Sequence, residues 1–280
     1  MVQSTNPCVG PSTDAIALAI VTGVEYFRRL LQGRGKENMH VKSLVVLAMV
    51  ATVAGCGGSD DSNPGTGTAY AFVAPVVNST RTYSETIVDN ANNTIVIGYT
   101  QTVMAVAADG TITEVQQSTT DGSTVVNGTN YTPLAETETY DGTSGQETSY
   151  TYTAASDESV TCIYDPRDGG PDFPLRVGQT WSISYTFACG SESPVTYEQT
   201  GSVVDVESVT VPAGTFTALK LHSTVSWTNL QGTTRTQTVT NWRDIATSHS
   251  VKEEISIVVS GTLPTTGYPL SREIVLETIS

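Results

Sequence analysis

From Ala69 onward the chain alternates apolar and polar residues with a period of two. Ile95, Ile97, Tyr99, Gln101 and Val103 share one face. Trp181, Ile183, Tyr185 and Phe187 alternate with Ser182, Ser184 and Thr186. Leu219, Leu221, Ser223, Val225 and Trp227 repeat the pattern, as do Val251, Glu253, Ile255, Ile257 and Val259. Strict alternation sets one face of each strand against a core and the other in water, as in antiparallel sheets. Thr, Val, Tyr and Ile dominate, and they suit a pleated surface. Between the runs sit Asp109-Gly110, Asp121-Gly122, Asn127-Gly128 and Asp141-Gly142, dipeptides that accept the positive φ of a tight hairpin. The pattern predicts an all-β fold, a curved antiparallel sheet forming a half-barrel or sandwich built from hairpins. No helix is expected after residue 68.

Residues 69–280 read as one all-β domain, with two unequal halves as the alternative. Residues 69–159 are Thr-rich with close turns, as in a hairpin meander. Residues 160–280 hold all three tryptophans and the longest strands, and read as the main core. Asp165 to Pro174, with Asp165, Asp168 and Asp172, reads as a surface loop between them. Gly57 to Thr68 lacks an apolar anchor and reads as part of a flexible tether, residues 56–68.

The apolar run Leu44 to Val53 follows Lys42 and is too short to span a membrane, which takes about 20 residues. A basic start, a short apolar stretch and small residues make a secretory signal. Its close, Val53-Ala54-Gly55-Cys56, resembles the lipobox of bacterial lipoproteins. The resemblance implies cleavage before Cys56, acylation of that cysteine, and anchoring in the cell envelope facing the periplasm or the cell surface. Gly57 rather than Asp after Cys56 implies the outer membrane. Lipoproteins of this type carry about three acyl chains, and two or more hold firmly. Met39-His40-Val41-Lys42 has the form of a signal start, so residues 39–55 would be the signal peptide and 1–38 an over-extended reading. The alternative is a long basic leader carrying Arg28, Arg29, Arg34 and Lys36.

Cleavage there leaves 225 residues with eight basic and 25 acidic side chains, a net charge of −17. Such a surface favours solubility and repels nucleic acid and anionic lipid headgroups. Of the four cysteines, Cys8 lies upstream and Cys56 is the lipid site. Cys162 and Cys189 are left in an oxidising compartment and are expected to form a disulfide, with two buried thiols as the alternative.

Leu175-Arg176-Val177-Gly178-Gln179-Thr180-Trp181 is followed by Gly201-Ser202-Val203-Val204, by Val211-Pro212-Ala213-Gly214-Thr215-Phe216 and by Trp242. This order is similar to TapB-like bacterial periplasmic and lipoprotein β-domains of unknown function, across roughly Leu175 to Glu254. The resemblance implies a curved antiparallel sheet and no catalytic residues. Physically, Pro212 ends a strand, Gly214 takes a positive φ and Phe216 re-enters the core, so the motif is a hairpin corner.

Candidate chemistry is sparse. His222 falls on the face opposite Leu221, and His249 in a polar turn; both are expected at the surface. A zinc site needs three or four clustered ligands, and no such spacing exists. A nucleophile needs an adjacent base, and no Gly-x-Ser-x-Gly elbow is present. Glu253 and Glu254 are neighbours on a strand and face opposite ways, with Glu253 half-buried. Catalytic residues, metals and cofactors are therefore expected to be none. Trp181, Tyr185, Phe187, Phe216, Trp227 and Trp242 are the ligand-cavity candidates, with plain core as the competing use of these aromatics. The resulting expectation is a non-catalytic, lipid-anchored envelope protein binding a ligand, lipid or partner protein on its curved sheet. The alternative is a structural or assembly component whose exposed edge strands pair with a partner.

Overall fold

A computed structural model describes residues 65–280, apart from 66, 120–124, 127–128, 131–135, 143, 154–158, 229–231 and 262–268. The lipobox with Cys56, the signal, most of the tether, and the Asp121-Gly122 and Asn127-Gly128 turns lie outside the described residues.

The described chain is all β and antiparallel. The first half gives β1 (Thr80–Asp89), β2 (Thr94–Val106), β3 (Ile112–Ser118), β4 (Val125–Val126), β5 (Thr129–Asn130), β6 (Glu136–Asp141) and β7 (Gln146–Thr153). The second gives β8 (Ser159–Asp165), β9 (Thr180–Cys189), β10 (Val195–Val211), β11 (Gly214–Thr228), β12 (Thr234–Asp244), β13 (Ser250–Ser260) and β14 (Pro269–Ile279). Twelve strands form one closed barrel in which each pairs with its neighbour in sequence, and β4–β5 form a small separate ribbon between β3 and β6.

The curved sheet closes completely, beyond the half-barrel or sandwich expected. Closure comes from β1 pairing with β14 along Arg81↔Ile279 to Asp89↔Pro269. It also changes one expectation of the sequence. The barrel sheet has no open edge, so pairing of a partner with its edge strands has no template there.

The inner and outer faces carry different chemistry. On β1, Arg81, Tyr83, Glu85, Ile87 and Asp89 are buried while Thr80, Thr82, Ser84 and Thr86 are only partly covered. Outward positions elsewhere are again Ser and Thr, as with Ser182, Ser184 and Thr186 of β9 or Thr236, Thr238 and Thr240 of β12. A barrel that spans a membrane shows lipid an apolar outer band; this outer face is polar.

A barrel of twelve strands is wider than the eight whose side chains just fill the interior. Here one side is filled by aromatics. Tyr185 stacks on Tyr197 at 5.3 Å, and Tyr197 on Trp227 at 5.0 Å. Phe187 and Tyr164 lie 4.9 Å apart, and Trp181 belongs to the same buried cluster. Cys162 and Cys189 face each other across β8–β9 and are joined as a disulfide. The opposite side mixes the two kinds, with Glu85 paired to Arg272 and Gln101, Gln116, Glu136 and Glu138 buried beside an Ile87, Ile95 and Ile97 cluster.

Candidate functional site

One end of the barrel is crossed by a strap, residues 70–79, that leads into β1. Three sets of backbone contacts fasten it. Tyr70 and Leu175 exchange N–H···O bonds at 2.9 Å. The Val73 N–H donates to Ser248 Oγ at 2.9 Å. The Asn78 N–H donates to the Val103 carbonyl at 2.8 Å, and the Val103 N–H to the Ser79 carbonyl at 3.0 Å. Phe72 meets Phe173 edge-on at 5.3 Å. Phe173 belongs to the β8–β9 connection, residues 166–179, of which the sequence presents Asp165 to Pro174 as a surface loop. Its Asp168, Gly169, Gly170 and Pro171 are instead buried, because the loop folds into the barrel mouth. The N–H of Gly169 bonds Asp168 Oδ1 at 2.7 Å.

Beneath the strap lies a cavity of about 120 Å³. Its apolar wall is Phe72, Ile112 and Ile274 with Tyr83 and Tyr99, whose rings stack at 5.3 Å. Its polar wall includes Arg81, Glu114, Asn241, Arg243, His249 and Glu253. These come from the ends of β1, β3, β12 and β13 and from the β12–β13 turn, so closure of the barrel is what gathers them.

The electrostatics of the polar wall follow from burial. Arg81 pairs with Glu114 at 2.5 Å and meets His249 Nδ1 at 2.7 Å. Burial, then Arg81 and Arg243, push His249 down to about 3, so the ring is neutral. Arg81 can only donate, so Nδ1 accepts and the ring proton sits on Nε2. Arg243 is 5 % exposed. Burial pushes its guanidinium down to about 9, against the opposing pull of Glu253. Its Nε and Nη1 make no hydrogen bond, and the guanidinium lies 5.6 Å from the Phe173 ring. Glu253 accepts from Asn241 Nδ2 at 2.8 Å. Burial, then Glu138, Glu147 and Glu114, hold the Tyr140 hydroxyl well above its usual value, and it donates to Glu138 at 2.6 Å.

The six aromatic candidates separate into two groups. Trp181, Tyr185, Phe187 and Trp227 lie together in the large buried cluster. Phe216 and Trp242 join a second cluster at the tip of the β10–β11 hairpin, where the Trp242 indole N–H donates to Glu207. None of the six lines the cavity. The hairpin corner itself forms as the sequence indicates, with β10 ending at Val211 and Gly214 at φ 141°. His222 is exposed, as expected. His249 is half-buried rather than the surface turn residue expected, with its Nδ1 set against Arg81. Glu253 is fully buried rather than half-buried.

Arg81 and Arg243 were the residues the sequence concealed. The one signal was on β1 and β12: Arg81 shares a face with Tyr83 and Ile87, and Arg243 with Val239, opposite faces of nearly pure Thr and Ser. Among the described residues no group of His, Cys, Asp and Glu is arranged to hold a metal ion.

No family model matches the chain. No curated protein matches it either. Two solved structures align over 76 % of this chain and the whole of their own. One, from Bacteroides fragilis, is described as an exported protein with a YmcC-like fold, at 13 % identity and a TM-score of 0.43. The other, from Parabacteroides distasonis, is described as a lipoprotein, at 14 % identity and a TM-score of 0.45.

Proposed function

We propose that this chain is a bacterial cell-envelope protein, lipid-anchored through Cys56 in the outer membrane, whose barrel binds a small ligand beneath the strap without chemical turnover. The observation that carries the reading is the half-open cavity of about 120 Å³, walled by apolar and aromatic side chains on one side and convergent polar groups on the other. That combination is the usual form of a small-molecule site. The chemistry of the polar wall supports binding over catalysis. His249 commits Nδ1 to Arg81 and has a pKa of about 3, far too low for a base working near neutrality. The anchor is supported by the Val53-Ala54-Gly55-Cys56 sequence, and the polar outer face of the barrel suits a domain held beside a membrane rather than in it.

The test is a thermal-shift screen of the full chain in detergent against small monocyclic compounds, beside Ile274→Phe, which fills the cavity. The reading expects compounds that raise the wild-type melting temperature and leave the folded variant unmoved. A wild type that responds to none of them, or a variant that responds equally, overturns it.

A further inference from the structure

Four side-chain atoms of the polar wall are buried without a hydrogen-bond partner: Nε and Nη1 of Arg243, Nε of Arg81 and Oδ1 of Asn241. Three of the four are guanidinium donors. A buried donor on a charged group is among the most unfavourable to leave unmade. Glu253 pulls on the Arg243 charge, but the carboxylates of the same cavity make no hydrogen bond to these atoms. Glu114 is taken by Arg81, and Glu253 by Asn241. Asp168 accepts from Gly169, and Glu147 and Asp168 both lie close to Tyr164 on the far wall. Burial, with Arg81 and Arg243 beside it, holds the neighbouring His249 neutral. What Nε and Nη1 of Arg243 lack is a hydrogen-bond acceptor within reach.

The apolar wall limits the rest of the ligand. Tyr83 and Tyr99 present a stacked pair, with Phe72, Ile112 and Ile274 around it. A dry cavity of about 150 Å³ holds a benzene ring, so a volume of about 120 Å³ has room for one ring once the strap yields slightly. A planar guanidinium matches a planar carboxylate, and the carboxylate is the smaller of the two anions, carboxylate and phosphate, whose geometry it fits. Resting on the cavity reading above, we infer that the site takes a small monocyclic carboxylic acid, its carboxylate against Arg243 and its ring against Tyr83, Tyr99 and Phe72.

Isothermal titration of the full chain in detergent tests this with benzoate, benzamide and benzylamine, on wild type and Arg243→Met. The expected result is benzoate bound about tenfold or more tighter than benzamide, with benzylamine not bound. In Arg243→Met that preference disappears while benzamide is unaffected. If benzamide or benzylamine binds wild type as well as benzoate does, the acid is wrong and the cavity reading stands. If none of the three binds, both fail. Should Arg243→Met fail to fold, Arg243 is structural and the comparison of benzoate with benzamide on wild type decides the matter.

Discussion

Trp181 lies flat over Gly201, its direct partner across β9–β10. A Cβ added at Gly201 would stand 2.2 Å from that ring. Trp181 is itself packed into the aromatic cluster and has nowhere to go. Gly201→Val should therefore destabilise the barrel by about 1–3 kcal/mol despite the better strand propensity of valine, the usual range for overpacking. Urea titration followed by tryptophan fluorescence would show it, and unchanged stability would mean the ring is free to move. His249 gives a second test. Its folded pKa, driven down to about 3 by burial and then by Arg81 and Arg243, lies below the usual value near 6.5. The unfolded chain thus binds the extra proton, and its contribution is full above about pH 6.5 and lost as the pH falls towards 3. The loss is about 1.4 kcal/mol per pH unit within that window. His249→Asn should flatten the stability curve between about pH 6.5 and 5, before most carboxylates titrate. Parallel curves for wild type and variant would contradict the burial of this ring.

Among elements, the long alternating strands were legible because each has one uniformly wet face. Ser182, Ser184 and Thr186 mark the outside of β9 as surely as Trp181 and Tyr185 mark its inside. Alternation says which face is inward; it does not say that the inward face must be apolar. Arg81, Glu85 and Arg272 occupy inward positions because each meets an opposite charge on another strand: Arg81 meets Glu114 of β3, and closure brings Arg272 of β14 to Glu85 of β1. Glu85 and Arg272 are 187 residues apart, a relation no local pattern carries. The strap was illegible for a different reason. Ala71-Phe72-Val73-Ala74-Pro75 has no period, and its role comes only from the rim contacts that fasten it. The disulfide was foreseeable from the count of cysteines left after the lipid site, and β8–β9 pairing puts the two opposite one another. It closes a loop of 27 residues. Replacing both cysteines with serine should cost about 3–4 kcal/mol in the loop-entropy account. A loss under about 1 kcal/mol in urea unfolding would show that the aromatic cluster alone holds β7 to β9 together.

At the scale of the whole molecule, the barrel's class and its inward residues came from periodicity, while closure and the cavity came from long-range pairing. The lipid anchor is an expectation from the Val53-Ala54-Gly55-Cys56 sequence alone. Detergent phase partitioning should send the wild type to the detergent phase with acyl mass on Cys56, and Cys56→Ser to the aqueous phase. A wild type that stays aqueous and unmodified would make the lipobox a coincidence. The central claim is that the strapped end of the barrel holds a small molecule, and native mass spectrometry of the detergent-solubilised protein from envelopes tests it most directly. The account predicts a small-molecule mass that leaves the wild type on gentle activation and is absent from folded Ile274→Phe. A wild type that flies without any adduct, or an adduct retained equally by the cavity-filled variant, would contradict it.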